Sequence, residues 1–178
     1  MGPRRIWIIA SASGNGKTTV GRELAGLLDV PFVELDALVH GPGWTENPDE
    51  EVLATLEPIL AGEGWVVDGT YTHKFGQLIL DAPDLIVWLD LPVHVWLPRV
   101  IARTWRRIRN RELLWGQNRE TVSGVLLGWD TLIPHALRSH VRRRRHWPAM
   151  LAGRNFVRLR TRAEVDAFLI SAGRSRVV

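Results

Sequence analysis

Ile6-Trp7-Ile8-Ile9-Ala10-Ser11-Ala12-Ser13-Gly14-Asn15-Gly16-Lys17-Thr18-Thr19 joins an apolar run to a glycine-containing turn and then to Lys-Thr-Thr. Residues 6–10 read as a buried strand, and residues 18–28 as a helix with Val20, Leu24, Leu27 and Leu28 on one face. Gly14 and Gly16 let the backbone curl between them so that its N–H groups converge on phosphate oxygens. The helix that follows adds its positive N-terminal end. In such a loop Ser13, Gly14, Asn15, Gly16, Lys17, Thr18 and Thr19 surround the phosphates of a nucleoside triphosphate. The Lys17 ammonium reaches the outer phosphates and the Thr18 hydroxyl holds Mg²⁺. The usual pattern opens on glycine where this chain has Ser11, a residue small enough to serve. The plain alternative is a strand-to-helix turn carrying a surface lysine.

Outward from this stretch, strands and helices alternate. Residues 31–36, 65–68, 85–90 and 155–159 are the further strands expected. Residues 47–60, 92–111, 134–146 and 162–171 are the further helices. Residues 112–132, with scattered Gly and Trp, give no clear pattern. Alternation of this kind implies an α/β fold with a parallel sheet and helices on both faces. Ligands of such sheets bind beyond the carboxyl ends of the strands. Asp36, Asp68 and Asp90 fall at those ends, beside the loop at 11–19.

The 178 residues suit one domain with a substantial core, and residues 1–178 are read as such. The chain has no cysteine, which excludes disulfides and thiolate metal sites and fits a reducing compartment. The N-terminal apolar run is too short for a signal peptide or a membrane span, so a cytoplasmic protein with no membrane partner is expected. The net charge of +4 conceals an asymmetry: residues 23–73 hold eleven acids and no Lys or Arg, whereas residues 74–178 hold nineteen Lys/Arg and eight acids. The basic part suits polyphosphate, and the acidic part suits a different ligand or simply solvent.

Candidate roles follow from position. Asp68, ending a strand, suits orientation of Mg²⁺ together with Thr18. Glu34 and Asp36, one residue apart, would share a side of an extended strand, and Asp36 would orient or deprotonate a hydroxyl. Asp90 would cap the helix after it. Arg99 and Arg103, four apart, share a helix face and could clamp phosphate oxygens. Arg138, Arg142 and Arg145 form a second stripe, able to grip nucleotide phosphates, bind nucleic acid, or face solvent. Of nine tryptophans, Trp7, Trp65 and Trp88 read as core, while Trp44 in Gly-Pro-Gly-Trp would stack on a substrate or anchor its loop. The histidines lack metal-type spacing, so no zinc is expected.

These pieces resemble the adenylate-kinase-like branch of phosphate-loop kinases, and within it the small DNA topology modulation proteins. The likeness rests on Ser11–Thr19, Leu35-Asp36-Ala37-Leu38, Pro42-Gly43-Trp44, Trp65 through Tyr71, and Leu89-Asp90-Leu91-Pro92 followed by Arg99 and Arg103. Glu34-x-Asp36 is also similar to the strand-end acids of shikimate-type kinases. The resemblance implies a three-layer P-loop NTPase fold with a five-stranded sheet ordered 2-3-1-4-5. It implies an acceptor-binding region over 37–64 and a helical lid insertion over 107–146 as well. It implies an ATP- and Mg²⁺-dependent phosphotransferase with Lys17, Asp36, Asp68, Arg99 and Arg103 catalytic, Arg138 and Arg142 at the nucleotide, and Thr18 and Asp68 at the metal. Partners would be a nucleoside triphosphate and a small-molecule acceptor. A nucleotide-regulated nucleic-acid-binding protein and a nucleoside monophosphate kinase are the alternatives. Adenylate kinases bind the acceptor's phosphate through arginines in a region where this chain has none, and unpaired like charge is costly. A neutral or cationic hydroxyl acceptor is therefore expected.

Overall fold

The structure, a computed structural model, describes residues 2–115, 118–121 and 131–174. Strand β1 (Arg5–Ala10) leads through the glycine turn to α1 (Lys17–Leu28). Then come β2 (Phe32–Glu34), α2 (Leu35–Val39), a 3-10 turn (Pro42–Trp44), α3 (Asp49–Leu60) and β3 (Trp65–Asp68). They are followed by α4 (Thr72–Asp81), β4 (Leu85–Leu89), α5 (Val93–Arg109), α6 (Leu132–Met150), β5 (Phe156–Leu159) and α7 (Arg162–Arg174). The five strands are all parallel in the order β2-β3-β1-β4-β5, as expected. Among the described residues no helix is long and apolar enough to cross a membrane.

The period-two alternation of β1 divides the core. Ile6, Ile8 and Ala10 pack with Val20, Leu24, Val165 and Leu169 of α1 and α7 on one face. Trp7 and Ile9 pack with Trp65, Trp88, Leu56 and Trp147 on the other. Trp7, Trp65 and Trp88 are fully buried, each removing roughly 200 Å² from water, on the order of 5 kcal/mol of transfer free energy. Two of their indole N–H groups reach the functional end of the sheet. Trp7 donates to the Gly69 carbonyl at 2.8 Å, pinning the turn after Asp68, and Trp88 donates to Ser11 Oγ at 2.8 Å. The core thus positions the site directly.

Three expectations change. The strand expected over 31–36 stops at Glu34, and Asp36 lies instead in the first turn of α2. Leu35 and Val39, four apart and both wholly buried, supply a helical anchor that outweighs the extended reading. A helix not foreseen, α4, follows Tyr71 and buries Phe75 and Ile79 at the same spacing. The basic helix is longer than residues 134–146 because Trp147 and Leu151 dock it on the core. Residues 116–117 and 122–130 of the expected lid over 107–146 lie outside the described residues.

Candidate active site

Gly14 and Gly16 have φ of 78° and 92°, the left-handed region that favours glycine. At Gly14 space is also limiting: a Cβ there would lie 2.4 Å from Val100 Cγ2 and 2.8 Å from the Trp96 carbonyl oxygen, so α5 crosses directly over the loop. Buried Asn15 holds the loop from inside, donating to the Ala12 carbonyl and accepting from the Leu91 N–H, both at 2.8 Å. Ser11 does more than replace a glycine. Its hydroxyl donates to Asp90 Oδ1 at 2.5 Å while accepting from Trp88. Asp90 is therefore not a helix cap: α5 begins behind Pro92 with no side-chain cap. Its buried carboxylate instead receives Arg158 Nη2 at 2.6 Å and Arg144 Nε at 3.1 Å, and the Arg158 guanidinium lies 4.0 Å from the Trp88 ring centroid. One carboxylate thus joins the base of the loop, β5 and α6.

Asp68 is almost fully buried at the end of β3. Thr18 Oγ1 donates to its Oδ2 at 2.7 Å, and Lys17 Nζ lies 3.4 Å from its Oδ1, which has no hydrogen-bond partner. A buried carboxylate oxygen left open beside a hydroxyl and an ammonium fits a hard, oxygen-seeking cation such as Mg²⁺. Glu34 stands beside Asp68 in the sheet register. Burial raises the Asp68 carboxyl above its ordinary value against the opposing pull of Lys17 and Thr18, with the Asp36 charge adding to the rise. Burial also raises Glu34, followed by the charges of Asp68 and Asp36.

An acid whose folded pKa is raised binds its proton more tightly when folded. Its contribution to stability is complete below the unfolded value, about 4, and is lost as pH rises through the folded one. Glu34→Gln should therefore raise Tm of the ligand-free protein near neutrality, and the gain should shrink toward pH 4. Comparing the two proteins cancels His140, whose buried ring, pushed below the ordinary histidine value, acts oppositely below about pH 6.5. Melting curves from pH 4 to 8 check this; a gain independent of pH counts against the carboxylate repulsion.

Asp36 faces this group from α2. Tyr71 Oη donates to its Oδ1 at 2.6 Å and lies 3.3 Å from His40 Nε2. Burial, then the charge and hydrogen bond of Asp36, drives the Tyr71 phenol far above its ordinary value. The arginines separate by burial. Arg103 is half-buried with Nε buried and unpartnered; burial, then neighbouring Arg107, lowers its pKa, while Glu120 and Asp36 oppose the fall. Arg99, one turn nearer the glycine loop, is exposed. On α6, Arg142 is exposed and Arg138 half-buried, on a face shared with Leu137, Val141, Arg145 and His146. Arg143 turns inward instead. Its Nη1 donates to the Ala10 carbonyl at 3.0 Å, just before the loop, and it stacks on Trp147. Burial, then Arg142, pushes its pKa down to about 10, with Asp36 opposing. Lys74 is held by Glu46 at 2.9 Å and Asp49 at 2.7 Å, directed at those acids.

The structure thus brings Lys17, Thr18, Asp68, Asp36 and Arg103 to one end of the sheet and adds Arg143, Tyr71 and His40. Arg143 had a sequence signal. Ala136, His140, Arg143 and Trp147, at spacings of four, three and four, share the inner face. The stripe selected by charge alone lay on a different face.

Parallel sheet, glycine loop and facing carboxylates define a P-loop kinase, an ATP-dependent enzyme. A shikimate kinase of Halorhodospira halophila is 32% identical over 126 residues, 63% of this chain and 68% of the relative, and the chain belongs to the shikimate kinase family. The fold matches the shikimate kinase of Bacteroides thetaiotaomicron with a TM-score of 0.57 at 16% identity, over 99% of this chain and all of that one. It matches a gluconokinase of Sinorhizobium meliloti with a TM-score of 0.56 at 21% identity, over 98% and 93%. No family model matches the chain.

Proposed function

We propose that the chain transfers the γ-phosphoryl group of Mg-ATP to a hydroxyl of a small acceptor that carries no phosphate. The observation behind this is the Asp36 carboxylate, bonded to Tyr71 and within the electrostatic reach of Asp68, Arg103 and Arg143. The loop amides and Lys17 hold the β- and γ-phosphates, and Thr18 Oγ1 with Asp68 holds the metal. Bound there, Mg²⁺ supplies charge neutralisation at the β/γ oxygens. Asp36 orients the acceptor hydroxyl and takes its proton as the oxygen attacks the γ-phosphorus and the bond to the β,γ-bridging oxygen breaks, with ADP as the leaving group. Arg99, Arg103 and the lid arginine Arg143 offset charge on the transferring group. Arg138 and Arg142 are left with a supporting role at the nucleotide, reached on lid movement.

The acceptor region is assigned to 37–64 and the lid to 107–146. No Lys or Arg lies between Glu23 and His73, and Lys74 is engaged by two acids. In this reading the half-buried Arg103 and Arg143 serve the donor side, and Lys17 and Arg22 are paired with Asp68 and Glu34, so an acceptor phosphate would add negative charge to a group of three acids. The relatives named above act, by their names, on shikimate and gluconate. The nucleic-acid reading loses support because, in the basic run, Arg143 turns inward and Arg144 is paired with Asp90. The test is a phosphate-transfer screen with shikimate, gluconate, sugars, nucleosides, amino alcohols and nucleoside monophosphates. Turnover of an unphosphorylated hydroxyl compound is expected; turnover confined to monophosphates defeats the proposal.

A further inference from the structure

At the base of the lid region, among the described residues 114–115 and 118–120, one buried polar side chain belongs to neither the glycine loop nor the carboxylate group. Asn118 is almost inaccessible. Its Nδ2 donates to the Gly41 carbonyl at 2.9 Å and its Oδ1 accepts the Trp44 N–H at 2.9 Å. Both partners are more than seventy residues away in sequence and lie in the loop that follows α2. A side-chain amide that gives and receives one hydrogen bond with the same loop substitutes for a strand partner. The rest of the contact is aromatic. Trp44 Nε1 donates to the Arg119 carbonyl at 3.3 Å. Trp115 stacks on His40 with centroids 5.3 Å apart and meets Trp44 edge-on at 5.6 Å. Trp44 and Trp115 have φ of 62° and 48°, a left-handed backbone that costs a non-glycine residue on the order of 1 kcal/mol. Two strained tryptophans packed against each other persist only where their contacts hold them.

The contact continues toward the reacting groups. His40 Nε2 lies 3.3 Å from the Tyr71 hydroxyl, and that hydroxyl donates to Asp36. On its other side the same segment presents Glu120 to Arg107 at 2.8 Å, one turn beyond Arg103 on α5. We propose that Asn118 is a positioning residue that locks loop 40–46 to the base of the lid, so that docking of this segment sets the orientation of His40, Tyr71 and Asp36. This rests on the reading of 37–64 as the acceptor side. It makes acceptor geometry depend on Trp115, Asn118 and Arg119, while the phosphate loop is held by other partners, Asn15, Ser11 and Asp90.

Tyr71 is the chain's one tyrosine, so its ionisation can be followed alone by tyrosinate absorbance. In the wild-type chain no tyrosinate signal is expected up to about pH 11.5, well past the ordinary value of about 10. In Asn118→Ala, loop 40–46 loses its lock, His40 and Tyr71 admit water, and the signal should appear below about pH 11, where the wild-type chain shows none. ATP affinity, measured by calorimetry, should change less than about twofold, since both hydrogen-bond partners of the Asn118 side chain lie in loop 40–46 and none in the phosphate loop. Asn118→Leu keeps the bulk of the side chain but makes neither hydrogen bond and adds no charge. It should shift Tyr71 the same way, and it stands in if the alanine variant does not fold. A lower Tm with Tyr71 ionisation unchanged overturns the inference, as does a parallel loss of ATP binding. The titration needs no acceptor, so its failure counts against this coupling alone. Absence of transfer to every compound in the screen counts against the proposed reaction alone.

Discussion

Lys17→Ala should reduce phosphoryl transfer by about a thousandfold or more, the scale of removing a charged group from a developing phosphoryl transition state. Lys17 opens α1, where the N–H groups of the first turn and the helix dipole already attract anions. Its ammonium adds a mobile full charge that those fixed dipoles cannot replace. In the ligand-free protein that charge rests 3.4 Å from Asp68 Oδ1. ATP binding is thus expected to draw Lys17 from carboxylate to phosphate, leaving the open oxygen of Asp68 for the metal. Removing Lys17 also withdraws a charge that restrains the rise of the Asp68 carboxyl, so Asp68 in the variant should hold its proton to higher pH. Steady-state turnover with the acceptor found by screening, together with ATP affinity, checks the prediction. Full activity in a purified Lys17→Ala protein would overturn the role of the loop.

How much of this could be read from the chain depended on sequence distance. The glycine loop is contiguous, and each of its parts acts within a few residues, so strand, turn and helix were legible together. The sheet order was legible through resemblance, and the burial of Trp7, Trp65 and Trp88 through their strand positions. Asp36 was placed at the right end of the sheet on the wrong element, because three half-buried residues of β2 looked extended while the Leu35 and Val39 pair that folds α2 was short. Asp90 was read from its neighbour Pro92, yet its partners Ser11, Arg144 and Arg158 come from three other segments. Asn118 carried no signal, since its amide matters only once Gly41 and Trp44 arrive from far along the chain.

This difference has a consequence for function. The glycine loop is built from local sequence and tied down by Trp88, Asp90 and Leu91 at the end of β4. In the proposed reading, the acceptor side depends on long-range docking of α2, its following loop, α5, α6 and residues 118–120. Sequence change can therefore alter the acceptor while leaving ATP use intact. The shikimate kinase and the gluconokinase that the chain matches share the fold and differ, by their names, in acceptor.

Asp36→Asn should lower kcat by about a hundredfold to ten-thousandfold, the range for loss of a positioned general base, with ATP affinity unchanged or slightly improved. The substitution preserves shape. The Tyr71 hydroxyl can still donate to the amide oxygen, as it now does to Oδ1 at 2.6 Å, so α2 and its loop should stay in place. What disappears is the negative charge and the capacity to take a proton. The same charge raises Asp68 and Glu34, so its removal should let both ionise more readily and ease the approach of nucleotide phosphates and metal. Tyr71→Phe separates positioning from proton transfer. It removes one hydrogen bond from Asp36 but leaves the carboxylate, so its effect on kcat should be about tenfold or less. If Asp36→Asn instead weakens ATP binding while sparing turnover, Asp36 belongs to the nucleotide site and the proton acceptor must be sought elsewhere. The ratio of the two effects, read from full kinetics at fixed pH, decides between these roles, because a base acts on the chemical step and a nucleotide ligand acts on ATP affinity.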